Sequence, residues 1–186
     1  MLWAFSFWKA VRFKINQPLV MKYIKEQRQL ILERYLSGDK LKGRVYHAAG
    51  VPISKLNSNP MWFALEKTHS DKGWFTNIID NGSDEAYQYG GKVVGKVGDL
   101  DNDDVIEVLN SVGVNPYDWS TSMVMNPNAK EVLQNKGTKA LMKAGYAGII
   151  YYDYDPRDFQ ADLQAIIVFN PLKSIKGWKL TKQYPE

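Results

Sequence analysis

The sequence predicts an α+β fold, in which short strands are separated by irregular segments and flanked by helices. Its 186 residues are 45% hydrophobic and 24% charged, which is the balance of an ordinary globular protein and fits one domain with an added arm. We find no repeat of fixed period, so a solenoid or propeller is not expected. Two parts are predicted: a basic, aromatic-rich helical arm at residues 1–43 and an α+β domain at residues 44–186.

Charge separates the arm from the domain. Residues 1–44 contain ten Lys and Arg and three Asp and Glu, a balance of +7, whereas the remaining residues have a balance of −3. After Pro18, apolar residues recur at helical spacing as far as Ser37-Gly38-Asp39, which predicts a helix that ends there. We expect the arm to pack on its own domain or on a partner subunit. A membrane surface and nucleic acid are the other partners that such a segment suits.

Several classes of function are excluded by missing residues. The chain contains no Cys, and its two histidines, His47 and His69, are too far apart for an H-x-x-x-H zinc pair, so we expect no metal site. No apolar segment is long enough to span a bilayer and the start lacks the features of a secretory signal, so a cytoplasmic location is expected. The serine-hydrolase, P-loop, dinucleotide and kinase motifs are absent.

Apolar patterns and breakers predict the elements of the domain. Gly90-Gly91 is interpreted as a hairpin turn and Gly145 as the stop of a helix. The acidic segment at residues 99–104 is expected to cap the next helix, because acidic residues favour a helix N-terminus. The predicted strands are residues 44–50, 60–65, 92–97, 147–152 and 163–169; the predicted helices are residues 105–112 and 128–144, with a short helix or loop at residues 66–74.

Four segments occur in an order that is typical of one family. A Tyr-His strand is followed by an aromatic strand, then by a Gly-Tyr-x-Gly turn after a helix, and finally by an apolar strand that runs into Asn-Pro. Together they resemble the ADP-ribosyltransferase domains of phages and bacterial toxins, over about residues 44–176. The resemblance implies a split β-sheet sandwich with flanking helices, and it leaves the arm unexplained. The segments are Tyr46-His47-Ala48-Ala49-Gly50, Met61-Trp62-Phe63-Ala64, Gly145-Tyr146-Ala147-Gly148-Ile149-Ile150 and Ile166-Ile167-Val168-Phe169-Asn170-Pro171-Leu172-Lys173-Ser174-Ile175-Lys176.

The resemblance implies NAD as the substrate and places its binding site at the Tyr46-His47 strand. The histidine can hydrogen-bond ribose hydroxyls, and the small side chains of Ala48 and Ala49 let backbone groups approach the carboxamide. A flat, cationic nicotinamide can stack between aromatic rings. Neighbours on a strand point to opposite faces, so at most one of Trp62 and Phe63 faces the site, and both are otherwise core residues. The aromatic candidates are Trp62, Phe63, Trp74 and Phe75.

The catalytic position departs from the family pattern. The resemblance places a glutamate four residues before the phenylalanine of the closing strand, and that position here is Ala165, which cannot stabilise a developing positive charge. Three explanations stay open. A bulge at the start of the strand brings Gln164 or Asp162 to the site, an acid of the preceding loop substitutes, or the site is silent, by evolution or by a deliberate substitution. The loop acids are Asp153, Asp155 and Asp158.

The resemblance therefore implies an NAD-dependent mono-ADP-ribosyltransferase, a toxin-like glycosyltransferase of phage or bacterial origin. Its acceptor is expected to be a macromolecule, protein rather than nucleic acid. The alternatives are a catalytically silent domain of the same fold with a structural or interaction role, an inactivated variant of an active enzyme, and a nucleic-acid-binding protein that uses the basic arm. Without the context of the other segments, His47 is by default a hydrogen-bonded residue of the sheet.

Overall fold

The computed structural model describes residues 33–100, 102–116, 118–119, 129–153 and 163–185. Most of the predicted arm, together with Asp155, Asp158 and Asp162, lies outside the described residues. The chain divides into two compact units, Met1–Leu36 and Ser37–Glu186. In the first unit, residues 33–35 are helical, immediately before the stop that the sequence predicts.

The second unit is α+β, as predicted, and its centre is a seven-stranded sheet. The strands of the described residues are β1 (Leu36–Ser37), β2 (Lys40–Leu41), β3 (Val45–Ala49), β4 (Met61–Ala64), β5 (Ala86–Val93), β6 (Lys96–Asp99), β7 (Tyr146–Asp153), β8 (Leu163–Val168) and β9 (Ile175–Tyr184). The order in the large sheet is β6-β7-β8-β4-β3-β5-β9. β6 and β7 run parallel, and the other neighbouring strands run antiparallel.

Short helices connect the strands, and asparagine side chains begin three of them. Asn102 accepts a hydrogen bond from the Asp104 amide at 2.8 Å, as an N-cap does. Asn135 accepts from the Gly137 amide at 2.8 Å, so it starts a new helix inside residues 128–144, where the prediction of one continuous helix is wrong. The described helices are α1 (Lys67–His69), a π-helix (Ser70–Phe75), α2 (Thr76–Asp80), α3 (Asp103–Ser111), α4 (Ala129–Gln134), α5 (Lys136–Lys143) and α6 (Pro171–Ser174).

The inner strands are buried on both faces. On one face, helices α3 and α5 contribute Leu109 and Leu141, which are fully buried with side chains of β7 and β8. On the other face, Phe63 and Ile166 are also fully buried. The cluster on the helix-covered face contains Leu100, Val105, Leu109, Trp119, Val132, Leu141, Tyr146, Ile149, Tyr151, Ala165, Ile167 and Phe169.

The large sheet has a seam between β3 and β4. These strands are paired at one position, Tyr46 opposite Ala64. By contrast, β4 and β8 are paired from Met61 to Ala64, and β3 and β5 are paired along all of β3. The sheet therefore consists of two well-paired halves, β6-β7-β8-β4 and β3-β5-β9, which share one ladder pair.

Strands β3, β4, β7 and β8 confirm the predictions, whereas the interpretation of residues 90–97 is wrong. Gly90 and Gly91 lie inside β5 rather than in a turn. A Cβ on Gly91 would overlap Ile175 Cγ2, and a Cβ on Gly90 would lie 3.1 Å from the Tyr46 ring. These glycines permit close packing against neighbouring strands. The chain instead breaks at Gly95, where φ is 113°, between β5 and β6.

Candidate functional site

The side chain of His47 lies at the seam. Its Nδ1 is 2.8 Å from the carbonyl oxygen of Trp62 on β4. Because a carbonyl oxygen can only accept, Nδ1 carries the hydrogen and Nε2 carries the lone pair in the neutral ring. No hydrogen bond from a described residue reaches Nε2. The seam therefore holds an imidazole with one fixed nitrogen and one nitrogen that can accept a hydrogen bond.

Aromatic rings from two elements contact this imidazole. The centroid of Phe63 on β4 is 5.7 Å from that of His47, with the planes at 56°. The centroid of Trp74 on the π-helix is 6.4 Å away, in an edge-on arrangement at 69°. Behind Phe63, Trp178 of β9 packs edge-on at 6.1 Å and stacks on Tyr89 of β5 at 5.0 Å. The imidazole thus forms part of a nearly continuous aromatic cluster.

Burial sets the charge of His47. Loss of solvation lowers the pKa of His47 below its ordinary value of 6.5, and the hydrogen bond to the Trp62 carbonyl, which favours the charged ring, opposes this. Burial has the larger effect. The ring is therefore neutral at pH 7, and Nε2 is available as an acceptor.

The strand register divides the predicted binding residues between the two faces of the sheet. Because side chains alternate along β3, Tyr46 and Ala48 point to the face away from His47. Ala64 lies opposite Tyr46 and is on that face too. Ala49 shares the parity of His47 on β3.

Only two of the four predicted aromatic residues contact His47 through their rings. Of the Trp62–Phe63 pair, Phe63 contacts the imidazole, whereas the Trp62 ring packs against the helix-covered core and contributes its carbonyl. Trp74 also contacts it and, like Trp62, packs against the helix-covered core. Phe75 is buried, and its ring lies 4.3 Å from Lys182 Nζ.

The expected catalytic position lies on the face away from His47. Ala165 is opposite Ala64 on β4 and Tyr151 on β7, and its exposed fraction is 1%. Gln164, of which only the backbone is described, lies in β8 opposite Tyr152. The backbone of Asp153 ends β7, and the remaining candidate acids are outside the described residues.

A buried polar network holds the π-helix against the sheet. Gln88 of β5 is fully buried, and its Nε2 donates to Asp71 Oδ1 at 2.6 Å and to Ser70 Oγ at 3.1 Å. Its Oε1 accepts from Thr181 Oγ1 at 2.9 Å. Because Trp74 belongs to the same π-helix, Gln88 is a positioning residue for the aromatic side of the site. Sequence reasoning missed it, since its partners are distant in the chain and no local pattern marks it.

Comparison with known proteins adds no identification: no protein-family model, no curated protein and no solved structure matches the chain. Within the described residues, no group of three or more His, Cys, Asp or Glu side chains is arranged to hold a metal ion. No helix in that part of the chain has the length and hydropathy needed to cross a membrane.

We expect the imidazole of His47 to titrate below pH 6.5 in NMR spectra. With the folded pKa lowered, the unfolded state binds more protons between that pKa and 6.5. The contribution of His47 to the free energy of unfolding is therefore full above pH 6.5 and decreases as the pH falls from 6.5 toward the folded pKa. His47→Gln should remove this part of the pH dependence and His69→Gln should retain it. A titration of His47 at or above 6.5 would contradict the geometry.

Ala165→Glu should destabilise the protein by roughly 3–5 kcal/mol, because it places a carboxylate in an apolar, fully packed position. Thermal and urea unfolding measure the change. Ala144→Glu, the same substitution at an exposed alanine after α5, should change stability by no more than about 0.5 kcal/mol. If Ala165→Glu were fully stable and gained ADP-ribosyl transfer, Ala165 would face the site after all, and the chain would be an inactivated enzyme.

Proposed function

We propose that this chain binds NAD at the β3–β4 seam and acts as an NAD-dependent mono-ADP-ribosyltransferase on a macromolecular acceptor. One observation carries the proposal: a neutral histidine, fixed through Nδ1, lies beside the Phe63 and Trp74 rings where two halves of a sheet meet. The seam, where one ladder pair joins the two halves of a single seven-stranded sheet, is the feature that supports comparison with the split arrangement that the sequence resemblance implies.

The residues at the seam suit a nicotinamide riboside. Nε2 of His47 can accept a hydrogen bond from a ribose hydroxyl, because a hydroxyl can donate one. The nicotinamide ring is flat and cationic, and an indole face attracts such a ring by cation–π interaction, worth roughly 0.5–2 kcal/mol. Trp74 is the best candidate for that face, because its side chain is half-buried, whereas that of Phe63 is fully buried.

Transfer breaks the bond between ribose C1′ and the nicotinamide nitrogen. The bonding pair leaves with nicotinamide, which becomes neutral, and the acceptor nucleophile forms the new bond to C1′ as it releases its proton to solvent. Positive charge develops on the ribose, so a carboxylate or amide beside it would lower the barrier. Ala165 cannot provide this group. The proposal therefore assigns it to Gln164, Asp162 or one of the loop acids Asp153, Asp155 and Asp158.

A second candidate is a domain of the same kind that binds NAD, or a related nucleotide, without transferring it. The burial of Ala165 on the face away from His47 favours this candidate. It retains the seam and its aromatic rings and requires no catalytic acid. The protein would then exert its effect through the molecules that it contacts while a nucleotide is bound.

Isothermal calorimetry with NAD should show binding that His47→Ala weakens by about tenfold, which corresponds to the loss of one hydrogen bond of about 1.4 kcal/mol. Trp74→Leu should weaken it by a similar factor. Lys139→Gln, an exposed substitution on α5, is the matched control and should leave the affinity unchanged. Equal affinities in the wild type and in His47→Ala, or no heat with millimolar NAD, would contradict the proposal.

Labelled NAD then separates the two candidates. Incubation with cell lysate should give a labelled macromolecule if transfer occurs, and His47→Ala should abolish the label. Binding of NAD without a labelled product would favour the silent domain.

A further inference from the structure

The lysines of β9 follow a period of three in the sequence, yet they lie on one face of the sheet. Lys176 is opposite Lys92, Lys179 is opposite Gly90 and Lys182 is opposite Gln88. Positions 88, 90 and 92 share one face of β5, because side chains alternate along a strand. In a regular strand, residues three apart would point to opposite faces. The structure therefore places on one face the lysines that a regular strand with this spacing would place on alternate faces.

Two β-bulges produce this alignment. β9 has an extra residue opposite the step from Gly90 to Lys92 and another opposite the step from Gln88 to Tyr89. At the first bulge, Gly177 has a φ of 62°. Arg44 fixes this point, since its Nη2 donates to the carbonyls of Gly177 at 2.7 Å and of Gly90 at 2.8 Å.

The second bulge is held by a side chain of β9 itself. Thr181 Oγ1 lies 3.1 Å from the carbonyl oxygen of Gln88 and 2.9 Å from its Oε1. Both bulges are thus tied down by hydrogen bonds, so the alignment of the lysines is a built feature of the fold.

We call Lys92, Lys176, Lys179 and Lys182 the lysine row. The first three are exposed, and Lys182 is half-buried and lies 3.8 Å from Asp71. Along β5, the row advances two residues per step, about 6.8 Å. Lys92 and Lys176 lie directly opposite each other, and like charges in this arrangement are destabilising unless an anion lies between them.

An aromatic ring continues the row. Tyr184 is opposite Ala86, on the same face as the lysines, and 45% of its surface is exposed. Leu180, the exposed apolar residue of β9, is opposite Tyr89 and so lies on the other face. The face therefore combines regularly spaced cations with one stackable ring.

We propose that the lysine row and Tyr184 bind single-stranded nucleic acid. The lysines would contact consecutive parts of a phosphodiester backbone, and Tyr184 would stack on a base, which is open to stacking only when the strand is unpaired. This inference does not depend on NAD binding, because none of these side chains contacts His47.

Fluorescence anisotropy with a short, labelled, mixed-sequence single-stranded oligonucleotide tests the proposal. Lys176→Gln/Lys179→Gln should raise the Kd about tenfold at roughly 0.1 M salt, and should reduce the slope of log K against log salt by about 1.4, or 0.7 for each lost contact. Lys139→Gln/Lys143→Gln removes the same charge from α5 and should leave both values unchanged. Tyr184→Ala should raise the Kd about fivefold or more, and Tyr184→Phe should keep wild-type affinity.

Lys92→Glu provides a readout that a folding defect cannot mimic. It replaces a like-charge pair with an opposite-charge pair, so the Tm should rise by about 1–3 °C while binding of the oligonucleotide weakens. Wild-type affinity and salt slope in the double variant of β9 would overturn the proposal, since binding would then belong to the basic arm. Absence of binding at low salt, tighter binding of a duplex, or equal competition by polyglutamate would overturn it as well.

Discussion

The hydrogen bond from His47 Nδ1 to the carbonyl of Trp62 lies where the two halves of the large sheet meet. The backbone ladder there consists of one pair, Tyr46 opposite Ala64, so the hydrogen bond of the imidazole adds a second link between the two strands. One hydrogen bond contributes a net of about 1 kcal/mol. The seam is therefore the junction of the large sheet with the fewest paired positions, and the bond from His47 to Trp62 determines which ring nitrogen can meet a ligand.

Elements that depend on local signals could be predicted from the sequence. The strand of His47, the buried strand before Asn170 and the helix stop at Gly145 all follow from apolar runs and breakers. Gly90-Gly91 misled the prediction, because a glycine needed for close packing between strands looks the same in sequence as a glycine needed for a turn. Strand β9 was missed, since its two bulges remove the alternation that identifies a strand.

The candidate site was predictable only in part. A Tyr-His strand pointed to His47, and pleat alternation correctly limited the neighbouring aromatic pair to one contact, which is Phe63. Gln88 and the lysine row could not be found, because both depend on pairing between residues far apart in the chain. The lysine row was not apparent from the net charge of −3 beyond residue 44, because a net charge does not show where the individual charges lie in the structure.

Amide hydrogen exchange, measured with and without NAD, tests most directly whether the seam is the binding site. Amides of β3 and β4 at the seam should exchange faster than those between β7 and β8, where the ladder is continuous. NAD should slow exchange at the seam and in the π-helix Ser70–Phe75, and should leave β9 unchanged. Unchanged exchange at the seam in saturating NAD, or protection confined to another part of the sheet, would contradict the assignment of the site to His47.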